Sequence, residues 1–434
     1  MSTASSVRQI SPVRQFSTVR WVSTTYFAEG LPFMLVCFLF AAYLTDIGAP
    51  ETWIGYANIL SLPWSLKAIW APAVDVYGTK RTWLLASEGV LCLGFGILTA
   101  VIAFGPTHVE VSGDHTILLI LTGLLAVISV FAATHDVAID GYYMEAIPSQ
   151  DEQAAYTGLR SAAYQVARIF ARSGLMYLAG AFGWVYGFGV GAAFLTVAWI
   201  FHLLILPQVE VQKTQTATLH DLGQGFLKAF AAYLKQPSIG LVLALLVTYK
   251  LGDQLMFSMN TTFMMREVHV SKANLAWIGL IGTGGLTGGA LLSAWAIKRF
   301  GWEKAVWPLT LGMNLNIWLY VWLASVMAHA NAHEVAPPPL AVVAAVYACE
   351  QFAGGLGASV LVVFSLRSCQ PGFNAAHFAI ATAISSLGSW ALGGQGGWIV
   401  AKIGYTNLYL LSFAAAIPSM ILLAIFLRRR PQAS

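Results

Sequence analysis

Charge is what this sequence has little of. Only 10% of its 434 residues are Asp, Glu, Lys or Arg, against about 25% in a soluble domain. With 58% hydrophobic residues and a mean hydropathy of +0.69, the chain could not cover a water-facing surface. Its solvent must be largely lipid. Cysteine is scarce too. Cys37, Cys92, Cys349 and Cys369 lie in or beside apolar runs without metal-ligand spacing. That excludes a disulfide framework and a zinc site and predicts small buried hydrophobes. No Walker sequence is present, which excludes an ATPase in its own right. No cofactor, metal or nucleic-acid partner is expected.

The leader "MSTASSVRQISPVRQFSTVR" has no acid. It reads either as a disordered cytoplasmic tail or as a mimic of a mitochondrial transit peptide. The first apolar run is too long for a signal-peptide core, which is about 7–15 residues. A run of roughly 20 apolar residues crosses the bilayer. Twelve are readable, at 22–45, 53–74, 83–104, 117–141, 156–180, 184–206, 238–262, 275–298, 305–328, 339–366, 374–400 and 405–427, here spans 1 to 12. The expected organisation is a tail 1–21, a six-helix bundle 22–206, a linker 207–237, a second bundle 238–427 and a tail 428–434. The linker contains "HDLGQGFLKAFAAYLKQ", with apolar residues at helical spacing, and predicts an interfacial helix.

Lys and Arg sit mostly on one set of loops and at both ends. The opposite loops hold only Arg266, Lys272 and Lys402. That asymmetry predicts cytoplasmic termini and linker. The halves also echo each other. "APAVDVYGTKR" after span 2 and "AWAIKRFGWEK" after span 8 share a charge, a Gly and a basic residue at one spacing. Parallel repeats of this kind mark transporters. The first copy resembles the loop motif of the major facilitator superfamily, with Ala71 where that motif has Gly. The resemblance implies a role in the cytoplasmic gate for Asp75, Gly78 and Arg81.

A charge at the bilayer centre costs about 2.5–3.5 kcal/mol on insertion scales and so tends to mark a pathway or a partner. Span 1 carries Glu29; span 4 carries His135, Asp136 and Asp140; span 7 carries Lys250 and Asp253; span 10 carries Glu350. Asp136 and Asp140 share a helix face and repel, so a proton or a cation must intervene. Candidate cations are Lys67, Arg160, Arg168 and Arg172. A carboxylate beside a movable cation suits proton coupling; the alternative is a static clamp between helices. Gly30 and Pro32 after Glu29 predict a kinked or opened helix. Lys250 and Asp253 can pair along one face. Glu350 reads as having no partner within a turn. Trp64 and Trp70 bracket Lys67 and could stack on a solute; otherwise Lys67 snorkels among interfacial Trp residues. His377 reads as interfacial. The glycine runs "GLIGTGGLTGG" and "LGGQGGW" have small-residue spacing and predict close helix packing.

The segments "EGLPF", "LPWSLKAIWAPAVD", "ATHDVAIDGYYMEAIP", "YKLGDQ", "CEQFAGGLGAS" and "GWIVAKIGY" together resemble AmpG-like muropeptide permeases. That branch of the superfamily also includes acetyl-CoA and siderophore carriers. The resemblance implies an all-α membrane protein with the major facilitator fold, twelve transmembrane helices in two six-helix bundles, and spans 1, 4, 7 and 10 around a central cavity. It implies proton-coupled import of a bulky polar solute, such as N-acetylglucosaminyl-anhydromuramyl peptide, by a monomer in the inner membrane. Tyr164 stands where those permeases carry an Arg, and Glu29 where they have a small residue. The residues assigned to protons or solute are Glu29, Asp136, Asp140, Asp253 and Glu350, with Lys67, Arg160, Arg168 and Lys250 as counter-charges and Trp64 and Trp70 as cavity aromatics. Alternatives from other classes are an acyltransferase, from the His135–Asp140 spacing, and a sensor that binds without transporting.

Overall fold

The computed structural model describes residues 12–109, 113, 115–147, 149–209, 219–370 and 374–429. Among them the backbone is helical between short turns, without strands. Hydrocarbon offers no partner for a bare amide, so a chain this apolar satisfies its backbone within helices. Nine helices among the described residues are long and apolar enough to cross a membrane: Ser17–Asp46, Lys80–Phe104, Thr116–Ala146, Trp184–Ile205, Ile239–Arg266, Lys272–Phe300, Trp302–His333, Leu340–Arg367 and Gly396–Arg428. The stretches expected as spans 2, 5 and 11 are helical as well, but shorter, broken or more polar. The first helix starts at Pro12, inside the stretch expected as a tail. A helix, Leu219–Leu234, lies within the linker; its residues 210–218, like both chain ends, fall outside the described part.

Four turns repeat one device. Gly78, Gly183, Gly301 and Gly404 join spans 2–3, 5–6, 8–9 and 11–12, with φ of 70°, 99°, 80° and 78°. A side chain would be strained there. Each bundle is therefore two three-helix units, and the loop echo seen in sequence is a shared backbone turn.

Several helices are interrupted. Span 2 passes through 3-10 turns at Asn58–Ser61 and Lys67–Ile69. Span 7 breaks at Tyr249–Lys250 and again at Met259. In span 1 the α-helix runs through Gly30 and Pro32, and the distortion falls downstream, in a π-turn at Leu35–Leu39. The break expected near Glu29 is thus absent, and the helix is distorted one turn further along instead. Span 5 has a matching π-turn at Phe170–Leu175.

The apolar core reports how the bundles meet. Away from the termini one core runs through both, from Leu35 and Ile54 to Met256 and Tyr409. Near the termini it divides, one part in each bundle, around Tyr142 and Leu84 and around Val306 and Phe364. The bundles are joined at the face away from the termini and part toward the termini. Glycines allow the junction. Gly397 lies against the Glu51 carbonyl and Gly55, so a Cβ there would strike the backbone opposite. The "LGGQGGW" run expected to pack helices thus packs one bundle on the other. Gly289 does the expected work inside its bundle, against the Phe352 carbonyl of span 10. The four cysteines are free; Cys349 is exposed rather than buried.

Candidate functional site

Between the bundles lies a cavity of about 200 Å³, lined by spans 1, 2, 5, 7 and 11. Its described lining holds two cations, Arg168 and Arg172, with Ser and Thr hydroxyls, the amides Asn58 and Gln254, and rings including Phe33 and Trp390, but no carboxylate. Such a wall favours an anionic solute rich in hydroxyls. Among the described residues Arg168 donates to Gln165, at 3.3 Å. Arg172 sits in the span 5 π-turn, 3% exposed. It crosses to the other bundle, donating to Gln351 Oε1 at 3.1 Å and to the Tyr347 hydroxyl. Gln351 in turn donates to Glu350 at 2.8 Å.

The carboxylates predicted from sequence lie to either side of this cavity, one group in each bundle. In the first bundle Asp136 forms an ion pair with Lys67, and the Glu29 carboxyl lies against it. Lys67 stands in the 3-10 turn that interrupts span 2. One helical turn nearer the termini, Asp140 pairs with Arg160 at 2.6 Å and accepts from Tyr26 at 2.8 Å. The guanidinium also stacks 4.3 Å from the Tyr26 and Tyr143 ring centres. The Asp140 side chain is 44% exposed and that of Asp136 only 10%, so the pair spans the boundary between interior and opening.

In the second bundle Lys250 pairs with Asp253 at 2.5 Å, both nearly buried. The span 7 break explains the placement. Lys250 follows the carbonyl end of Ile239–Thr248, and Asp253 lies in the first turn of Leu251–Ser258. Each charge sits at the helix end whose dipole favours it. Glu350, 2% exposed, feels Asp253, Lys250 and Arg172. The partner its sequence neighbourhood did not suggest is the adjacent Gln351.

The aromatic bracket around Lys67 is split between neighbours. Trp64 packs edge-on to Phe33 at 5.0 Å, and Trp70 donates to Thr134 at 3.1 Å. At the termini face Asp75 pairs with Lys80, which the motif reading passed over, and Lys80 also donates to the Val74 carbonyl at 2.9 Å. Arg81 instead donates to the carbonyls of Leu206 and Leu203 at 3.1 and 3.2 Å. His377, expected at an interface, is fully buried against Tyr233 of the linker helix, 3.0 Å from the Ala229 carbonyl.

The opposite face carries a seal that sequence reading did not assign. Arg266 of span 7 donates to Glu51 at 2.7 Å and to the carbonyls of Ala49 and Thr45 at 2.6 and 3.1 Å. Lys272 pairs with Asp46 at 2.6 Å, and Thr45 meets Thr262 at 3.0 Å. The available signal was the charge asymmetry itself: Arg266 and Lys272 are two of its three exceptions.

A family model, Major Facilitator Superfamily, matches residues 22–332. The chain belongs to that superfamily. It is a multi-pass membrane transporter rather than an enzyme, which sets aside the acyltransferase reading. It is 28% identical to an uncharacterized protein of Haemophilus influenzae over 92% of each chain. It is 27% identical to the anhydromuropeptide permease of Escherichia coli K12, over 92% of this chain and 77% of that one. The resemblance to AmpG-like permeases is thus borne out. The fold matches a peptide transporter, POT, solved with alafosfalin, at a TM-score of 0.69 and 12% identity, over 95% of this chain and 94% of that one.

Proposed function

We propose that this transporter imports an anionic muropeptide across an inner membrane toward the face that bears its termini, in symport with protons. The observation that carries the reading is the cavity wall: two arginines among hydroxyls and rings, flanked by ion-paired carboxylates. Sugar hydroxyls and ring faces suit the Ser, Thr and aromatic lining, and peptide carboxylates suit Arg168 and Arg172. The 27% identity to an anhydromuropeptide permease supports the same class. The excess of Lys and Arg on the termini side supports a cytoplasmic location for that face.

Coupling then follows from charge balance. A solute carboxylate that engages Lys67 withdraws the partner of Asp136. A bare carboxylate beside Glu29 is costly in a low dielectric, so Asp136 takes up a proton. Glu350 plays the corresponding part in the second bundle, where its bond through Gln351 to Arg172 ties its charge state to the bundle junction. Opening the seal at Arg266 and Lys272 and closing the termini side completes alternating access. Each monomer holds the whole path. Purified protein in liposomes, offered labelled anhydromuropeptide, ferric siderophore and acetyl-CoA with and without a pH gradient, tests the reading. Gradient-driven accumulation of the muropeptide alone is expected. Accumulation of either other solute in its place refutes the assignment.

A further inference from the structure

A second group of buried titratable side chains lies inside the first bundle, apart from the cavity. Glu88 of span 3, His135 of span 4 and His202 of span 6 are 2%, 0% and 0% exposed. His202 Nδ1 is 2.7 Å from Glu88 Oε1, and its Nε2 is 2.9 Å from the Thr24 hydroxyl of span 1. His135 Nε2 stands 3.3 Å from the same Glu88 oxygen, outside hydrogen-bonding geometry. Among the described residues, Glu88 Oε2 and both nitrogens of His135 have no hydrogen-bond partner.

Donor and acceptor accounting limits what this group can hold. The Thr24 hydroxyl is within reach of the Arg20 carbonyl at 2.9 Å. When it donates there, its oxygen can only accept, so His202 Nε2 must carry a proton. When Glu88 is ionised it can likewise only accept, from Nδ1–H. His202 is then an imidazolium. When the Thr24 hydroxyl turns to donate to Nε2 instead, the ring is neutral. Both states fit the same heavy-atom positions, so a proton can come and go for the turn of one hydroxyl. The surroundings choose between them. With His202 and His135 both neutral, an ionised Glu88 is a lone charge inside a bundle, whereas the His202 imidazolium makes a neutral pair.

We propose that Glu88, His202 and Thr24 form a proton-binding site within the first bundle, separate from the solute cavity, with the proton carried on the His202 ring. The titratable groups around it are few. Span 3 adds the Cys92 thiol, which feels Glu88, and span 4 adds His135 and, beyond it, Asp136. His135 stands 3.3 Å from the Glu88 oxygen and immediately precedes Asp136 in span 4.

Isotope-edited nitrogen NMR of histidine-labelled, full-length protein in bilayers tests the site without any transport measurement. The chain has nine histidines, and loss of one signal in His202→Gln assigns the ring. Both ring nitrogens of His202 are expected to be protonated. Glu88→Gln is expected to return the ring to a neutral tautomer, and Thr24→Val to weaken its hold on the proton by about tenfold. A neutral His202 ring in the unaltered protein, or an imidazolium undisturbed by Glu88→Gln, overturns the proposal. If Glu88→Gln does not fold, the spectrum of the unaltered protein and the Thr24→Val titration still decide.

Discussion

Arg172 of the first bundle donates to Gln351 of the second at 3.1 Å, and Gln351 passes the contact to Glu350 at 2.8 Å. A buried cation in one half is thereby wired to a buried carboxylate in the other, at the edge of the cavity. Any movement of the bundles must stretch this chain, and any change of charge at Glu350 alters its strength.

Removing that wire should impair transport more than folding. Arg172→Lys keeps the charge but loses the planar fork. A charged hydrogen bond is worth about 1.5–3 kcal/mol, so uptake should fall by roughly 10- to 100-fold, with normal amounts of protein in the membrane. Uptake by Arg172→Lys equal to that of the unaltered protein would show the contact to be incidental.

Proton coupling and solute binding separate in the carboxylate variants. Asp136→Asn and Glu350→Gln should abolish accumulation driven by a pH gradient. Exchange of labelled for unlabelled solute, which needs no net proton movement, should survive. Loss of exchange as well would make these residues solute ligands instead.

Thr45 and Thr262 meet at the seal, 3.0 Å apart. Cysteines at both positions, in a background without Cys37, Cys92, Cys349 and Cys369, should cross-link on oxidation. Uptake should stop and return on reduction. Cross-linked protein that still transports would contradict movement of this face.

Gly397 should not tolerate a larger residue. A Cβ there strikes the Glu51 carbonyl across the bundle junction. Gly397→Val should hold that face open, so that a probe cysteine at Thr262 reacts with an impermeant reagent from outside. A probe no more reactive than in the Gly397 protein would count against this packing.

Much of this was legible in sequence because hydropathy and charge report burial directly. Asp136, Asp253 and Glu350 are inward-facing because lipid would not hold them, and the Gly78 and Gly301 turns stood out at one spacing. The interruptions at Lys67 and Lys250 were not legible, since an apolar run carries no record of where its hydrogen-bond ladder breaks. Pro32 pointed to a break at Glu29, yet the π-turn lies downstream. The Arg172–Gln351 contact joins residues far apart in the chain, and a glutamine beside Glu350 has no periodic signature. Glu88 and His202 were passed over because each is a single polar residue in a long apolar helix, and only folding brings them together.

The most direct measurement is of protons. Liposomes containing the protein are loaded in weak buffer, and external pH is followed as anhydromuropeptide is added. The external medium should become more alkaline as solute enters, and the change should be absent with Asp136→Asn. Solute entry with no accompanying proton movement would contradict symport.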